Sequence, residues 1–391
     1  MLLVSVALFA AGGQEEGMSS EDAASNLEAS RAVDSSVLLA ADGQPLLRLD
    51  TSTPDIPARP SDPDALPETN PMHWYDMEYA GWDVEKENIP ESPMDGAIGK
   101  RVTMIVHGDH PWTTACTTGA QKVAEAYGID LTVLSPNWDL AVQNQMIDQT
   151  INERPDMLLL IPLNAETAVQ QARRVNQAGI PLILFNTLPT TAAMRYAITW
   201  TGPDDFGQMR KLAQEFADEL RARNPDADQL GVAYIQHNPG TSPYFARYNG
   251  PESELSTYAP EVVTLDAQSP GFDADRANQL VADWLTRFGD DLHGIFAADD
   301  SAHALGISEA LDRAGRDDIV VVAAGNSKVG MDLISDGELF AITYQTAEGD
   351  GALAVEAAAQ WFNGEELPPR INLPQHIITA EDVANFYPAQ W

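Results

Sequence analysis

Residues 157–186 read MLLLIPLNAETAVQQARRVNQAGIPLILFN, and this stretch predicts a strand, a helix and a second strand. The run 157–161 is apolar without alternation, which is typical of a strand that other elements cover on both faces. The run 182–185 has the same character. Two buried strands of this kind are expected to lie parallel in one sheet when a helix connects them.

The residues between the two runs predict that helix. Asn164 can accept a hydrogen bond from a free amide of the first turn, and the apolar residues of 165–175 recur at helical spacing. Gly179 suits the left-handed conformation that ends many helices, and Pro181 prevents the helix from continuing. The stretch therefore predicts a right-handed parallel strand–helix–strand unit.

The same alternation continues from residue 101 onward. Ten apolar runs predict strands, at 102–106, 131–134, 157–161, 182–185, 196–200, 230–235, 262–265, 294–297, 319–323 and 339–344. Helical patterns lie between most of them, at 113–127, 140–152, 204–223, 273–288, 302–314 and 347–362. This alternation predicts a doubly wound α/β fold. Ten strands exceed what one compact open sheet of this type usually holds, so we expect two sheets. A TIM barrel, which needs eight such units in one closed ring, fits less well.

The charge excludes two classes of partner. The 391 residues include 22 basic and 59 acidic side chains, which gives a net charge of −37. Nucleic acid needs a basic surface, and anionic membrane lipid repels an acidic one. We interpret the charge as a strongly solvated surface, such as a saline habitat favours, with a charge-specific function as the alternative. Cys116 is the single cysteine, which rules out an intrachain disulfide and a cysteine metal cluster, and its place in a predicted helix indicates a buried thiol.

The first hundred residues differ from the rest. Residues 1–13 form an apolar run of signal-peptide length that ends in small residues, although no basic residues precede it. This run predicts export, and thus a soluble periplasmic or otherwise extracytoplasmic protein. Residues 14–99 hold 19 acidic and 4 basic side chains and a proline-rich part, which is typical of an extended linker. The aromatic residues of 73–82 predict that part of this extension packs on the folded body, with a partner-binding segment as the alternative.

Candidate ligand-binding residues follow the predicted strands, because open parallel sheets bind ligands beyond the carboxyl ends of their strands. The side chains there combine aromatic faces with carboxylate, amide and guanidinium groups. Aromatic faces cover the C–H patches of a sugar ring, while the polar groups bond its hydroxyls. Helix capping is the alternative role for Asp204, Asp273, Asp299 and Asp300. The candidate site residues are His110, Trp112, Trp138, Asn186, Tyr244, Phe245, Arg247, Asp299, Asp300, Asn326 and Gln345.

No enzyme signature accompanies these residues. The sequence holds no Gly-x-Gly-x-x-Gly after a strand, no Gly-x-x-x-x-Gly-Lys-Ser/Thr and no Gly-x-Ser-x-Gly. His107, Asp109 and His110 could suggest a metal site, but no further ligand is evident nearby and their spacing differs from that of a helical His pair. Asp299 and Asp300 could suggest a sugar hydrolase, but adjacent carboxylates usually point in different directions. We therefore expect no catalysis, no metal and no cofactor.

Five groups of residues share their order and spacing with a known family. These are HPW at 110–112 with GA at 119–120, NQAGIPLI at 176–183, GTS at 240–242, FAADD at 296–300 with ALG at 304–306, and AITYQ at 341–345. From residue 101 onward the chain resembles type 1 periplasmic sugar-binding proteins, the ribose- and galactose-binding components of ABC transporters. The resemblance implies two doubly wound parallel-sheet lobes, joined by a three-crossing hinge, that close on ligand like a Venus flytrap. Residues 100–202 plus 346–364 would form lobe one, and 203–345 plus 365–391 would form lobe two.

The resemblance also implies a function. The protein is expected to bind a sugar or polyol outside the cytoplasm, as a monomer, and to deliver it to an ABC transporter permease. A ligand-sensing protein that feeds a chemoreceptor or histidine kinase is the alternative. An intracellular repressor of this fold would need a basic helix-turn-helix before the first lobe, and residues 14–99 offer none. By position, the sugar would be contacted by His110, Trp112 and Asn186 of lobe one and by Tyr244, Phe245 or Arg247, Asp299 or Asp300, Asn326 and Gln345 of lobe two.

The chain departs from the ribose binders of this family at three places. Asn186-Thr187 stands where they carry an Asp-Arg pair, and 324–326 replaces a Phe-Asp-Gly-type segment. Their arginine after Gly-Thr-Ser is displaced here to Arg247, with Phe245 near its place. These changes disfavour ribose and leave a neutral polyol or a differently substituted sugar open. An Asn186→Ala variant is expected to bind sugar more weakly with little loss of stability.

Overall fold

The computed structural model of the protein describes residues 20–47, 60–67, 70–82 and 84–391, and the predicted signal segment 1–13 lies outside them. The strands of the described residues are β1 Arg101–Ile105, β2 Asp130–Leu134, β3 Met157–Leu160, β4 Leu182–Phe185, β5 Thr199–Gly202, β6 Leu230–Ile235, β7 Val262–Gln268, β8 Leu292–Ala297, β9 Val320–Ala323, β10 Ala341–Thr343, β11 Arg370–Asn372 and β12 Ile377–Thr379. The α-helices are α1 Ser20–Arg31, α2 Tyr75–Glu78, α3 Pro111–Tyr127, α4 Leu140–Glu153, α5 Ala168–Gln177, α6 Thr191–Met194, α7 Asp205–Arg223, α8 Ser242–Tyr258, α9 Ala274–Phe288, α10 Ala302–Ala314, α11 Lys328–Asp336 and α12 Ala347–Phe362.

The strands form two six-stranded sheets, and each sheet is the centre of one lobe. The first sheet has the order β11-β5-β4-β3-β1-β2, with all strands parallel. The second has the order β12-β10-β9-β8-β6-β7, in which β12 runs antiparallel to β10 and the other pairs are parallel. The prediction of a doubly wound α/β fold with two sheets is confirmed.

The described chain crosses between the lobes three times. It crosses between β5 and α7, between β10 and α12, and between β11 and β12. The last crossing lies later than the expected boundary at residue 365. Because β11 pairs with β5, with Arg370 opposite Trp200, the chain stays in the first lobe up to Asn372. Residues 365–372 therefore belong with lobe one rather than with lobe two.

The unit 157–186 has the predicted architecture. β3 and β4 are fully buried and pair in parallel, with Leu158 opposite Leu182. The side-chain oxygen of Asn164 accepts hydrogen bonds from the main-chain N–H groups of the second and third residues after it, at 2.9 and 3.1 Å. The α-helix itself begins slightly later, at Ala168. Gly179 has a φ of +73°, the left-handed conformation that the sequence predicts there.

Each sheet is covered on both faces, because two separate apolar clusters flank it. In the first lobe, α3 and α12 cover one face and α4 and α5 cover the other. α3 and α12 pack closely at two glycines, since a Cβ atom on Gly119 or Gly351 would lie 1.9 Å from a main-chain oxygen of the facing helix. Cys116 is buried at this contact, as predicted. In the second lobe, α9, α10 and α11 cover one face, and α7 and α8 cover the other.

One described part of the N-terminal extension, at 39–45, packs on the first lobe. A short turn is held by a bridge between Leu39 and Pro45. The main-chain N–H of Ala41 donates to Glu348 of α12 at 3.0 Å, and the Lys122 ammonium donates both to the Leu39 oxygen and to Glu348. This turn is therefore fastened to the first lobe close to the second crossing.

A second part of the extension lies between the lobes. Glu78, at the end of α2, is fully buried and forms an ion pair with Arg210 of α7 in the second lobe. The Arg370 guanidinium of β11, in the first lobe, donates to the main-chain oxygen of Glu78. The extension thus contacts both lobes beside the first and third crossings. In the described residues no helix combines the length and the apolarity that crossing a bilayer requires.

Candidate ligand-binding site

A cavity of about 230 Å³ lies between the lobes, at the carboxyl ends of both sheets. Its wall combines residues that follow strands of the first sheet with residues that follow strands of the second, which is where open parallel sheets bind ligands. Seven of the eleven candidate site residues line it, namely His110, Trp112, Trp138, Asn186, Arg247, Asp299 and Gln345.

The structure does not bring the other four candidates to the cavity wall. In the first turn of α8, the Phe245 ring packs against the first-lobe core. The Tyr244 ring lies edge-on to the Phe245 ring, with 5.2 Å between their centroids. Asn326 is buried without reaching the wall. Asp300 is fully buried and accepts a hydrogen bond from a main-chain N–H at the start of α11, at 2.7 Å. Adjacent residues at a strand end point in different directions, so Asp299 reaches the cavity and Asp300 points into the lobe.

The first lobe contributes an aromatic wall. The imidazole of His107 stacks on the indole of Trp138, with 4.6 Å between centroids, and lies tilted against Trp112 at 5.3 Å. Gly108 permits this stack, because a Cβ atom there would lie 2.2 Å from the Trp138 ring. Trp138 keeps 49% of its surface exposed, so one face of the wall is open to a ligand. An aromatic wall of this kind suits the C–H face of a sugar ring.

Both histidines of this wall are neutral at neutral pH. Burial lowers the pKa of His107 to about 4, while its ring nitrogens lie 3.4 Å from the Asn186 side-chain oxygen and 3.5 Å from the Thr113 hydroxyl. Burial also lowers the pKa of His110, whose Nδ1 accepts the Trp112 main-chain N–H at 3.1 Å and so caps α3. In the neutral ring the hydrogen then sits on Nε2 of His110, which is left to donate to a ligand.

Asn186 is positioned by a buried carboxyl group that the sequence analysis missed. Its side-chain nitrogen donates to Asp350 of α12 at 2.6 Å, and its main-chain N–H donates to Thr201 at 2.9 Å. Asp350 has no exposed surface, and burial raises its pKa to about 8. Asp350 stands beside Glu348 in the first turn of α12, where acidic residues are common, so no sequence signal marks it as buried.

The second lobe contributes a fixed guanidinium group. Arg247 donates from Nε to Asp205 at 3.1 Å, from Nη1 to the Ala298 oxygen at 2.7 Å and from Nη2 to the Gln345 side-chain oxygen at 3.0 Å. A guanidinium group has five N–H donors, so two remain for a ligand. The bond to Gln345 also orients that side chain, whose amide nitrogen remains a donor at the cavity wall.

Asp299 both orders a turn and lines the cavity. Its Oδ1 accepts from the main-chain N–H and the hydroxyl of Ser301, at 3.1 and 2.8 Å, which orders the turn before α10. The structure gives Oδ2 no partner among the described residues, so this oxygen is an acceptor for a ligand at the wall. Asp204 and Asp273 act as helix caps, because they accept main-chain N–H groups in the first turns of α7 and α9.

His237 and Phe272 line the cavity and were missed, although both follow strands. Nδ1 of His237 lies 2.9 Å from the Thr241 hydroxyl oxygen, whose hydrogen goes to a main-chain oxygen at 2.8 Å. Nδ1 therefore carries the imidazole hydrogen and Nε2 is left as an acceptor. Burial, reinforced by the Arg247 charge, lowers the pKa of His237 well below its ordinary value. The Phe272 ring stands edge-on to His237 at 4.7 Å and stays 44% exposed.

Other wall residues carry weaker signals or none. Thr187 directly follows Asn186. Trp391 follows no strand, and no pattern in the sequence predicts that Trp391 lines the cavity. Among the described residues, no group of three or more His, Cys, Asp or Glu side chains could hold a metal ion.

Residues 101–366 match the family described as the periplasmic binding protein domain. The chain is also similar to a xylitol-binding protein of Mycolicibacterium smegmatis, with 26% identity over 268 residues that cover 68% of this chain and 74% of the relative. It is similar to the ribose import binding protein of Escherichia coli, with 27% identity over 273 residues that cover 70% of this chain and 88% of the relative.

Solved structures have the same fold. One is an ABC transporter solute binding protein from Bacillus halodurans with bound myo-inositol, with a TM-score of 0.66 and 22% identity, covering 75% of this chain and 99% of that one. Another, from Actinobacillus succinogenes with bound D-allose, has a TM-score of 0.65 and 19% identity, covering 73% of this chain and all of that one. At these identities the likeness establishes the fold alone. Together with the match over 101–366, it shows that the chain belongs to the periplasmic binding protein family, in the type 1 group that includes the sugar-binding proteins of ABC transporters.

Proposed function

We propose that the protein binds a neutral sugar or polyol between its lobes, outside the cytoplasm, and delivers it unchanged to the permease of an ABC transporter. The observation that carries this proposal is the convergence of two kinds of group from both lobes in one cavity. These are exposed aromatic faces and hydrogen-bonding groups that have no partner among the described residues. A small polyhydroxylated molecule offers what such a cavity needs, namely apolar C–H patches and many hydroxyls.

The charges of the wall favour a neutral ligand. The Arg247 guanidinium is balanced by Asp205, 3.1 Å away, and the lowered pKa values of His107 and His237 leave both rings uncharged. Asp299 then supplies a negative charge at the wall. A carboxylate or phosphate on the ligand would be repelled by Asp299 and would find no free cation to offset that repulsion among the described wall residues.

The polar groups of the wall include both donors and acceptors. Arg247, Gln345 and His110 offer N–H groups, whereas Asp299 and His237 offer acceptors. Each hydroxyl of a sugar can donate once and accept as well, so it can pair with either kind. The xylitol-binding and ribose import binding relatives are named for ligands of this class, which supports the proposal without choosing among its members.

A thermal-shift screen over neutral pentoses, hexoses, pentitols and inositols tests the binding. A ligand at 100 times its Kd stabilises the folded state by about 2.7 kcal/mol, so the Tm rises by several degrees. Sugar acids of the same size are expected to have little effect on the wild type. In Asp299→Asn the discrimination against the acid should shrink, while Glu309→Gln, an exposed change on α10, should behave like the wild type. If no neutral compound raises the Tm at millimolar concentration, the proposal is wrong.

Delivery is tested separately, with membrane vesicles that contain the permease of a sugar ABC transporter from the same organism. Uptake of radiolabelled ligand should require this protein and ATP. Mass spectrometry should show that the ligand taken up is chemically unchanged. Binding without stimulated uptake would contradict delivery, and saturable binding to a chemoreceptor or histidine kinase ectodomain would then support a sensory role.

A further inference from the structure

Trp391 belongs to neither sheet, yet its side chain lines the cavity. Its indole lies 5.7 Å from the imidazole of His110, measured between ring centroids. The indole nitrogen is buried and has no hydrogen-bond partner among the described residues. An indole N–H is a donor only, and a buried donor without an acceptor is unfavourable. A ligand hydroxyl that lodges beside the indole would supply the missing acceptor.

Trp391 is held by both lobes. Its main-chain oxygen accepts the N–H of Lys328 at the start of α11, in the second lobe, at 2.8 Å. Its ring packs against the apolar cluster of the first lobe that contains α3 and α12. The residue therefore lies where the two lobes meet at the edge of the cavity, and its position depends on how the lobes are arranged.

The neighbouring Gln390 fixes this arrangement through its side chain. Its oxygen accepts the Thr346 hydroxyl at 3.1 Å and the main-chain N–H of Glu348 at 3.0 Å, both at the second crossing. Its nitrogen donates to Asp42 of the N-terminal extension at 2.8 Å. Asp42 is itself buried and accepts a hydrogen bond from the main-chain N–H of Gln44 at 3.0 Å. This bond orients the carboxylate toward Gln390.

We infer that Trp391 is a ligand-contacting residue whose indole N–H donates to a hydroxyl of the bound sugar or polyol, and that Asp42 of the N-terminal extension positions it through Gln390. This inference rests on the proposed function and adds two residues that no strand-end rule supplies. It also gives the acidic extension a role in the binding site: the extension holds the segment that carries Trp391 against the hinge.

Two variants separate the N–H group from the ring. Trp391→Phe keeps an aromatic ring and removes the donor, whereas Trp391→Ala removes both. The ligand found in the thermal-shift screen is titrated by calorimetry. Trp391→Phe should raise its Kd about fivefold to tenfold, the ratio that corresponds to one lost hydrogen bond. Trp391→Ala should raise it further. Circular dichroism and the Tm without ligand establish that both variants fold.

The protein labelled with 5-fluorotryptophan reports on the indole itself. Trp391→Phe identifies the fluorine resonance of Trp391 by its disappearance. In the otherwise unchanged protein this resonance should shift when ligand is added. Asp42→Ala should shift or broaden it without ligand and weaken binding several-fold. Asp42→Asn keeps an acceptor oxygen for Gln390 and should restore both, and Asp34→Ala, an exposed change in the same extension, should have neither effect.

Equal affinities of the wild type and both Trp391 variants, or a resonance that ligand leaves unmoved, would overturn the role of Trp391. An Asp42→Ala protein with wild-type affinity and an unchanged Trp391 resonance would overturn the positioning role. Failure of the proposed function would give a different result, because the wild type itself would then bind no neutral sugar or polyol.

Discussion

Asn186 lines the cavity and also makes contacts that stabilise the fold. It faces the cavity, its φ of +58° lies in the left-handed region, and its amide donates to the buried Asp350. Asparagine adopts this backbone conformation more readily than most other non-glycine residues. The expectation that Asn186→Ala would leave stability almost unchanged was based on its place after a strand. The structure supports a different expectation.

Asn186→Ala should lower both affinity and stability. Leaving the Asp350 carboxyl without its donor costs about 1–3 kcal/mol, and the left-handed backbone adds roughly 1 kcal/mol with an alanine. Asn186→Gly loses the same hydrogen bond, but glycine adopts the left-handed conformation without strain. Its free energy of unfolding should therefore lie between those of the wild type and the alanine variant. Urea denaturation measures the free energy of unfolding of all three. An alanine variant as stable as the wild type, or more stable than the glycine variant, would contradict this account.

The wall residues also show what can be predicted about a binding site from sequence. Strand ends identify most of the segments that line the cavity, because parallel strands bring their carboxyl ends to one edge. They do not decide which of two neighbours, such as Asp299 and Asp300, faces the cavity, since that depends on the local turn. They also miss Trp391, which the last few residues bring to the cavity from outside both sheets.

At the scale of elements, the contact between α2 and α7 joins the extension to the second lobe. Glu78 and Arg210 are both buried, and ions removed from water are stable there only when they are paired. The Arg370 guanidinium, which donates to the Glu78 main-chain oxygen, lies 3.9 Å from Asp204. The charges at this position therefore come from the extension and from both lobes.

Removing one member of the Glu78–Arg210 pair should be far more destabilising than removing both. Glu78→Met leaves a buried arginine without its carboxylate and should cost about 3–5 kcal/mol of unfolding free energy. The double variant Glu78→Met with Arg210→Met replaces the pair by apolar side chains and should lie near the wild type. Denaturant melts of the two single variants and the double variant provide the thermodynamic cycle. Additive losses would show that the two side chains do not stabilise the fold as a pair.

Which elements the sequence predicts depends on their length and burial. Strands with continuous apolar runs, such as β3 and β4, lie where they are predicted. The strand predicted at 196–200 is found at Thr199–Gly202, because buried threonines flank Trp200 and carry the strand beyond the apolar run. β11 and β12 have three residues each, too few for a pattern. α8 contains Pro251 and mostly polar or small residues, so helical periodicity is weak there.

At the scale of the whole molecule, the net charge of −37 makes the folded protein repel itself. Salt should therefore stabilise it. Raising NaCl from about 0.01 to 0.2 M shortens the Debye length from about 30 Å to below 10 Å, so the Tm should rise by several degrees over this range. Calorimetry at a series of concentrations measures the rise, which should be steepest at low salt, where screening changes most. A Tm that stays constant or decreases as NaCl is raised to 0.2 M would contradict self-repulsion.

The extension makes contacts with residues that are very distant in the sequence. The Arg31 side chain donates to the main-chain oxygen of Asn363, 332 residues later. The Asp42 carboxylate accepts a hydrogen bond from Gln390, 348 residues later. During synthesis the extension emerges from the ribosome before these two partners do. It can therefore meet Lys122 early, whereas its contacts with Asn363 and Gln390 become available only late. The contacts with Asn363 and Gln390 are therefore expected to be among the last to form during synthesis, and a chain stalled before them would carry an extension that is only partly docked.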